Sequence, residues 1–257
     1  MDLRLIARLD IKNDRLIKGV HLEGLRVVGD PMERALHYYN QGIDELLLVD
    51  AVASLYQRNN LVNVIQRICR EIFIPVTVGG GIRSVESAQL LFDAGADKIA
   101  INTAAISDPE LLGELSNRYG AQAIVLSIQA KQSSNDSNIW WAMTDNGREN
   151  SKKSVMDWVL LAQQFGIGEV LITSIDKEGT GHGYDLGLIS SLNSVIKCPF
   201  LISGGFGKSD DAMNAFHRGA QAVVIAQALH YNKSTISQIK SDLISDNIPI
   251  RQIDNVF

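Results

Sequence analysis

The sequence has 257 residues, of which 46% are hydrophobic and 21% are charged. This size and apolar content exclude both a disulfide-stapled miniprotein and a disordered chain. The 24 basic and 29 acidic residues give a formal net charge of −5. This argues against nucleic-acid binding, because the chain has no excess of basic residues to neutralise the phosphates of a nucleic acid. No apolar run approaches the roughly 20 residues that cross a bilayer, and the first residues lack the apolar core of a signal peptide. With only two, distant cysteines, we expect a cytoplasmic protein that does not bind membranes.

Short apolar runs alternate with longer amphipathic segments along the whole chain. Nearly continuous runs of Ile, Leu, Val and Ala are typical of parallel strands that are covered on both faces. Glycines follow four of the helical segments (Gly42, Gly95, Gly166 and Gly219), where a residue with positive φ commonly ends a helix. Alternation at this spacing indicates βαβ units. The predicted strands are residues 3–9, 45–49, 76–78, 98–101, 123–128, 169–175, 200–202 and 222–226, and the predicted helices are residues 31–41, 61–71, 85–94, 109–119, 155–165, 186–195 and 209–218.

The chain contains an internal repeat. Residues 42–47 match residues 166–171, and the offset of 124 residues persists across some sixty positions, which argues against coincidence. Towards the N-terminus a change of five residues in length makes the offset 119. Residues that pair across the repeat include Gly80 with Gly204, Gly81 with Gly205, and Asp10 with Gln129.

Two halves of four βα units each predict one closed α/β barrel, the (β/α)8 or TIM barrel, with a twofold half-barrel repeat. We expect a single domain over residues 1–257. The half-barrels are predicted at about residues 1–120 and 121–240, and a C-terminal helix and tail at residues 234–257.

Glycine pairs follow the third and the seventh predicted strands. In barrels of this class, the C-terminal ends of the strands form a mouth that holds the active site. Glycines there let backbone N–H groups approach an anion closely. One pair would equally suit a tight turn, but two pairs across one mouth predict an elongated substrate with a phosphate at each end. The candidate phosphate-binding residues are Gly80, Gly81, Asn102, Thr103, Gly204, Gly205 and Gln227.

Six segments in chain order carry a family resemblance: LDIK at 9–12, LIKG at 16–19, VGGGI at 78–82, INTAA at 101–105, TSID at 173–176 and SGG at 203–205. Together they resemble the cyclase subunit of imidazole glycerol phosphate synthase, the HisF family of histidine biosynthesis, over about residues 3–230. The resemblance implies that ammonia joins a bis-phosphorylated formimino ribonucleotide, which is cleaved and cyclised to imidazole glycerol phosphate and an aminoimidazole carboxamide ribotide. It also implies a glutaminase (HisH-like) partner in a heterodimer, and no cofactor or metal.

By the same resemblance, two carboxylates on opposite strands catalyse the proton transfers. Asp10 matches the first position, but Gln129 stands at the second, and an amide has no proton to exchange in the accessible pH range. Losing a general acid or base commonly lowers a rate by about 10²–10⁴. Lys18 and Thr173 match residues that contact substrate. Glu178 stands where the family usually has an aspartate, and Gln227 stands where the family tends to have a small hydroxyl residue.

Charged residues also open four strands that are otherwise apolar, at the opposite end of the predicted barrel. Such charges commonly just reach solvent. The resemblance instead matches them to the gate of an ammonia channel, and it matches Asp97 to a residue that docks the partner. The gate residues are Arg4, Glu45, Lys98 and Glu169.

Three functions therefore stand side by side. The first is an active cyclase, with Asp10 as the remaining acid or base. The second is a paralogue with a degenerate cyclase site that docks a glutaminase and channels ammonia to another amidotransferase, for example for acetamidino modification of a surface-polysaccharide sugar. The changes at Gln129, Glu178 and Gln227 favour this second function, whereas the full-length resemblance favours the first. A single-chain sugar-phosphate isomerase is disfavoured, because that reaction needs no ammonia gate.

Overall fold

Eight parallel strands close into a barrel in the computed structural model, which describes residues 2–51 and 61–252. Counted in chain order among these eight barrel strands, the first pairs with the second and the eighth, and the fifth pairs with the sixth. Helices connect successive strands, so the predicted (β/α)8 TIM barrel is confirmed. The strands are β1 (Arg4–Lys12), β2 (Arg15–Val20), β3 (Glu23–Gly29), β4 (Glu45–Asp50), β5 (Val76–Gly79), β6 (Lys98–Ile101), β7 (Ile124–Gln132), β8 (Trp140–Thr144), β9 (Glu149–Ser154), β10 (Glu169–Ser174), β11 (Phe200–Ser203) and β12 (Ala222–Ile225).

Four of these strands lie outside the barrel wall. β2 and β3 form a hairpin after β1, and β8 and β9 extend the sheet antiparallel from β7. The pairing with β2 also explains why β1 runs to Lys12 rather than ending at residue 9 as predicted.

The helices cover the outside of the barrel, and local capping residues place their first turns. The side chain of Asp30 accepts hydrogen bonds from two backbone N–H groups of the first helix, and Ser84 and Ser87 form a capping box at the third. No helix within residues 2–51 and 61–252 is both long and apolar enough to cross a membrane. The helices are α1 (Pro31–Asn40), α2 (Val62–Glu71), α3 (Val85–Asp93), α4 (Thr103–Ser107), α5 (Glu110–Tyr119), α6 (Val155–Ala162), α7 (Leu186–Leu192), α8 (Ser209–His217), α9 (Gln227–His230) and α10 (Ile236–Ser245).

The four glycines predicted to end helices all have positive φ. Gly42 and Gly166, which the repeat pairs, have φ values of 80° and 76°. Gly95 and Gly219, also a pair, have values of 113° and 106°. A side chain at these positions would strain the backbone. The half-barrel boundaries at about residues 1–120 and 121–240 remain a prediction, and residues 253–257 of the predicted tail lie outside the described residues.

Side chains fill the barrel interior in levels along its axis. β1 shows the pattern: Leu5, Ala7 and Leu9 pack in the outer core, whereas Ile6 packs in a separate apolar layer inside the barrel. Strand side chains alternate between faces, so Arg4, Ile6, Arg8 and Asp10 share the inner face. Arg4 lies at the base, which is the N-terminal end of the strands, and Asp10 lies at the mouth. The apolar layer between them consists of Ile6, Leu47, Ala100, Val125, Leu171, Leu201, Ala222 and Val224.

Candidate active site

Two cations hold Asp10 at the mouth end of β1. Nε of Arg8 donates a hydrogen bond to Oδ1 of Asp10 at 2.8 Å, and Nζ of Lys18 lies 3.7 Å from Oδ2. All three side chains are buried. Burial alone would raise the pKa of the Asp10 carboxyl, but the charges of Arg8 and Lys18 outweigh it and hold that pKa below its ordinary value. Asp10 is therefore an ionised carboxylate at neutral pH, suited to accept a proton.

Arg8 was not singled out by the sequence analysis, although it lies at the centre of the barrel. Its side chain is only 4% exposed. Nη1 donates to Oγ1 of Thr173 at 3.2 Å and more weakly to Oγ of Ser203 at 3.5 Å. The guanidinium therefore spans from β1 to β10 and β11. The available signal was a charged residue inside an apolar run, two positions before Asp10 and so on the same face of the strand.

The hairpin of β2 and β3 brings Lys18 into the mouth. Lys18 forms a buried ion pair with Glu178, which lies in the segment after β10. The hairpin is fastened to that segment by His21, whose backbone N–H donates to the carbonyl of Glu178 at 2.9 Å. The ring Nδ1 of His21 also lies 2.8 Å from the carbonyl oxygen of Ile175. Residues 13–30 are thus folded over one side of the mouth.

The amide of Gln129 is fixed by two asparagines. Its Oε1 accepts a hydrogen bond from Nδ2 of Asn102 at 3.2 Å, and its Nε2 donates to Oδ1 of Asn146 at 3.3 Å. Asn102 also donates to the carbonyl of Met143 at 3.1 Å. The side-chain donors of Asn102, which the sequence suggested for a phosphate, are therefore already used within the protein. Sequence reasoning missed Asn146, which reaches Gln129 only because β7 and β8 pair as a hairpin.

The two glycine pairs adopt matching turns after β5 and β11, here named the first and second glycine turns. Gly80 has φ of 96° and Gly204 has φ of 92°. A Cβ at Gly80 would lie 2.4 Å from the carbonyl oxygen of Asp50, and one at Gly204 would lie 2.6 Å from that of Ser174. Both turns therefore require glycine. The following residues, Gly81 and Gly205, have φ values of 74° and 114°.

A cavity of about 390 Å³ opens at the mouth beside the first glycine turn. Its walls include Thr103, Gln129 and Thr173, with Arg8 also among the lining residues. Oγ1 of Thr103 accepts a hydrogen bond from the backbone N–H of Asp145 at 3.1 Å. The cavity therefore connects the first glycine turn to the interior of the barrel.

The other changed side chains border the second glycine turn. Oε2 of Glu178 would lie 3.2 Å from a Cβ on Gly204. The amide oxygen of Gln227 would lie 4.0 Å from a Cβ on Gly181, in the neighbouring loop. A carboxylate and an amide thus flank the place where the sequence predicted the second phosphate.

Four charged side chains, here called the charged ring, meet at the base of the barrel. Nη1 of Arg4 contacts Glu45 at 2.6 Å and Glu169 at 2.8 Å. Nζ of Lys98 contacts the same two carboxylates at 3.2 and 3.0 Å. Burial alone would lower the pKa of Arg4, but the two glutamates raise it overall, so its guanidinium stays charged.

Asp97 lies at the same end as the charged ring and is exposed. Its Oδ2 accepts a hydrogen bond from the backbone N–H of Val76 at 2.8 Å, which ties the start of β6 to the start of β5. Gln221, 124 residues later, accepts a hydrogen bond from Phe200 N–H at 2.7 Å in the same way. Asp97 therefore stabilises the barrel base, whatever else it contacts.

A (β/α)8 barrel with a buried carboxylate and two glycine turns at its mouth defines the class of TIM-barrel enzymes, whose active sites lie at that end. The family described as "Histidine biosynthesis protein" matches residues 4–235, and the chain belongs to this family. More particularly, it is of the HisF type, the cyclase subunit of imidazole glycerol phosphate synthase, which is a lyase-type enzyme.

Curated relatives with the name "Imidazole glycerol phosphate synthase subunit HisF" carry this assignment. The relative from Legionella pneumophila is 54% identical over 210 residues, which cover 82% of this chain and 98% of the relative. Those from Bifidobacterium adolescentis and Prochlorococcus marinus are 40% and 42% identical, and each alignment covers 97% of this chain and 98% of the relative. These names support the cyclase, and they give no support to the alternative of a module that delivers ammonia to a surface sugar.

Proposed function

We propose that this HisF-type chain performs its cyclase reaction with Asp10 as the proton acceptor. The substrate is a bis-phosphorylated formimino ribonucleotide, which spans the two glycine turns. Ammonia adds to it, and the products are imidazole glycerol phosphate and an aminoimidazole carboxamide ribotide. The observation that carries the proposal is a buried, ionised Asp10 at the mouth. We expect the reaction to take place in the cytoplasm, without a cofactor or metal.

The charge distribution suits addition of ammonia. A nitrogen that attacks an electrophilic carbon gains positive charge and must lose a proton, which an ionised carboxylate can take. Oδ1 of Asp10 is engaged by Arg8, so Oδ2 is the oxygen left to accept that proton. The protonated carboxyl can then return the proton to the leaving nitrogen, which balances the step. Gln129 orients the substrate through its amide and exchanges no proton.

We assign the charged ring to the entry of ammonia. Above the ring lies the apolar layer, which admits neutral ammonia far more readily than charged ammonium. The inner face of β1 leads from Arg4 to Asp10 over six residues, or about 20 Å. A glutaminase subunit docked at the base, beside Asp97, would deliver ammonia directly to this passage.

Turnover of the purified chain with the bis-phosphate substrate and an ammonium salt tests the proposal. We expect imidazole glycerol phosphate to form without a partner, and Asp10→Asn to lower the rate by about 10²–10⁴. A folded chain that releases no imidazole glycerol phosphate under these conditions would overturn the cyclase assignment. Equal rates for the chain and Asp10→Asn would overturn the role of Asp10.

A further inference from the structure

Arg8 is a buried charged group that the proposed reaction leaves without a task. It lies on the inner face of β1, between the apolar layer and Asp10. A guanidinium is costly to bury unless its hydrogen bonds are made. Those made here lead to one carboxylate and two hydroxyl groups, of which that of Thr173 belongs to a residue that lines the cavity. The side chain is therefore held in one place by three strands.

The contacts of Asp10 divide its two oxygens. Oδ1 receives the 2.8 Å hydrogen bond from Arg8, whereas the contact of Oδ2 with a cation within residues 2–51 and 61–252 is the longer one of 3.7 Å with Lys18. Lys18 is shared with Glu178, which lies closer to it. Arg8 is thus the group that fixes the direction of the carboxylate.

We propose that Arg8 is the positioning residue of this site: by holding Oδ1 of Asp10, it directs Oδ2 towards the substrate. The inference rests on the proposed role of Asp10 and adds a residue that acts through it. Arg8 moves no proton, since a guanidinium stays protonated in proteins.

Gln129 adds no charge to this arrangement. Thr173, which accepts a hydrogen bond from Arg8, is the register partner of Gln129 in the pairing of β10 with β7. The guanidinium of Arg8 therefore contacts the strand that is adjacent to the strand of Gln129. The neutral amide at that position does not compete with Asp10 for the cation, and Arg8 keeps its 2.8 Å hydrogen bond to Oδ1 of Asp10.

The other groups that face Asp10 cannot replace Arg8. Burial and the charge of Lys18 lower the pKa of His230 to about 4, so its ring is neutral at pH 7. The carboxylate of Glu178 competes for Lys18. When Arg8 is removed, the carboxylate of Asp10 is left with a shared, more distant cation, and its pKa should rise.

The test uses Arg8→Met, Asp10→Asn and the double variant, with kcat and KM measured with ammonium salt across a range of pH. For Arg8→Met we expect kcat to fall by about 10², the loss that a 1 Å misplacement of a catalytic group can cause. The acid limb of the kcat/KM profile should move to higher pH. In the Asp10→Asn background, Arg8→Met should change kcat by less than about threefold, because a residue that acts through Asp10 has nothing left to position.

Two variants separate positioning from folding. Arg8→Lys keeps the charge but loses the planar set of donors. Its acid limb should therefore lie at the same pH as in the unmodified chain, and its kcat should lie between those of Arg8→Met and the unmodified chain. Lys240→Met removes another buried cation. Nζ of Lys240 lies 2.7 Å from Oδ1 of Asp44, and this ion pair is remote from the mouth. It should lower the melting temperature and leave the pH profile unchanged.

Two results would overturn the inference. One is that Arg8→Met lowers kcat by the same factor in the unmodified chain and in the Asp10→Asn background. The other is that Arg8→Met changes KM and leaves kcat unchanged. If the unmodified chain gives no product, the proposed reaction is wrong, but the effect of Arg8 on Asp10 can still be measured. A ¹³C NMR titration of the Asp10 carboxyl should then show a higher pKa in Arg8→Met, and an unchanged titration would refute the role of Arg8.

Discussion

Nδ2 of Asn102 donates a hydrogen bond to Oε1 of Gln129 at 3.2 Å, which links the end of β6 to the neighbouring strand β7. An oxygen acceptor is all that this bond requires at position 129. A carboxylate could accept the same hydrogen bond, whereas the bond from Nε2 of Gln129 to Asn146 needs an amide. The surroundings of position 129 can therefore hold a second acid or base.

Gln129→Asp should raise the ammonium-dependent turnover by at least about tenfold, because it adds a group that can exchange protons beside the cavity. Initial rates of imidazole glycerol phosphate formation provide the measurement. Gln129→Asn shortens the side chain equally without adding a titratable group, and it should give no gain. Unchanged turnover in Gln129→Asp would show that Asp10 performs every proton transfer that limits the rate.

Lys98→Met should separate the two sources of ammonia. It removes the cation that contacts Glu45 at 3.2 Å and Glu169 at 3.0 Å, at the base of the barrel. With a glutaminase subunit and glutamine, turnover should fall about tenfold, equivalent to about 1.4 kcal/mol in the barrier. Turnover with ammonium salt should stay the same, since that ammonia can enter at the mouth.

The control for the charged ring is Lys208→Met, which removes an exposed lysine paired with Asp210. It should affect neither source of ammonia, because exposed ion pairs contribute little. Equal losses with glutamine and with ammonium salt in Lys98→Met would contradict a role of the ring in ammonia entry.

Gly80→Ala should weaken substrate binding and reduce stability. The new Cβ would meet the carbonyl oxygen of Asp50, at 2.4 Å, in a backbone with φ of 96°. Gly24→Ala is the matched control, because Gly24 has φ of 61° but no atom within 4 Å of the added Cβ. The control isolates the left-handed backbone penalty of about 1–2 kcal/mol. Urea unfolding and KM should both show the larger effect for Gly80→Ala; indistinguishable variants would argue against a close-packed first glycine turn.

His230 should make the unfolding free energy depend on pH between 6.5 and 4. Its pKa in the folded chain is about 4, lowered mainly by burial, whereas an unfolded histidine titrates near 6.5. In this window the unfolded chain binds a proton that the folded chain does not, so stability falls as pH falls. The slope from this group is at most about 1.4 kcal/mol per pH unit.

His230→Gln should flatten that slope in urea unfolding measured at several pH values. His37→Gln, which changes an exposed histidine, should keep it. A slope that survives in His230→Gln would assign the pH dependence to other groups. Asp10 acts in a different window: its lowered pKa contributes stability that is lost only as pH falls below about 3.9.

The barrel followed from sequence because each element carries its own signal. Apolar runs mark buried strands, and glycines such as Gly42 and Gly166 mark helix ends through a conformation that other residues avoid. The repeat then fixed the number of units. The extension of β1 was missed because it depends on pairing with β2, and such pairing is not encoded in the hydrophobic pattern of β1.

The site was predictable in part, for a related reason. Strand alternation places Arg8 and Asp10 on one face, so their contact could have been inferred locally. The reach of Arg8 to Thr173, 165 residues away, depends on closure of the barrel. The contact of Gln129 with Asn146 depends likewise on the turn between β8 and β9. Such long-range geometry needs the register of every intervening strand.

β1 has one further consequence for how such a site can change. Alternate positions of this single strand hold Arg4, Ile6, Arg8 and Asp10. The position of each residue in β1 therefore determines where its side chain lies along the barrel axis. A one-residue insertion or deletion between them would turn part of the series towards the helices. Substitutions can alter the groups one at a time, but a change in length alters several together. New chemistry on this scaffold therefore has to come from exchanging side chains at fixed heights.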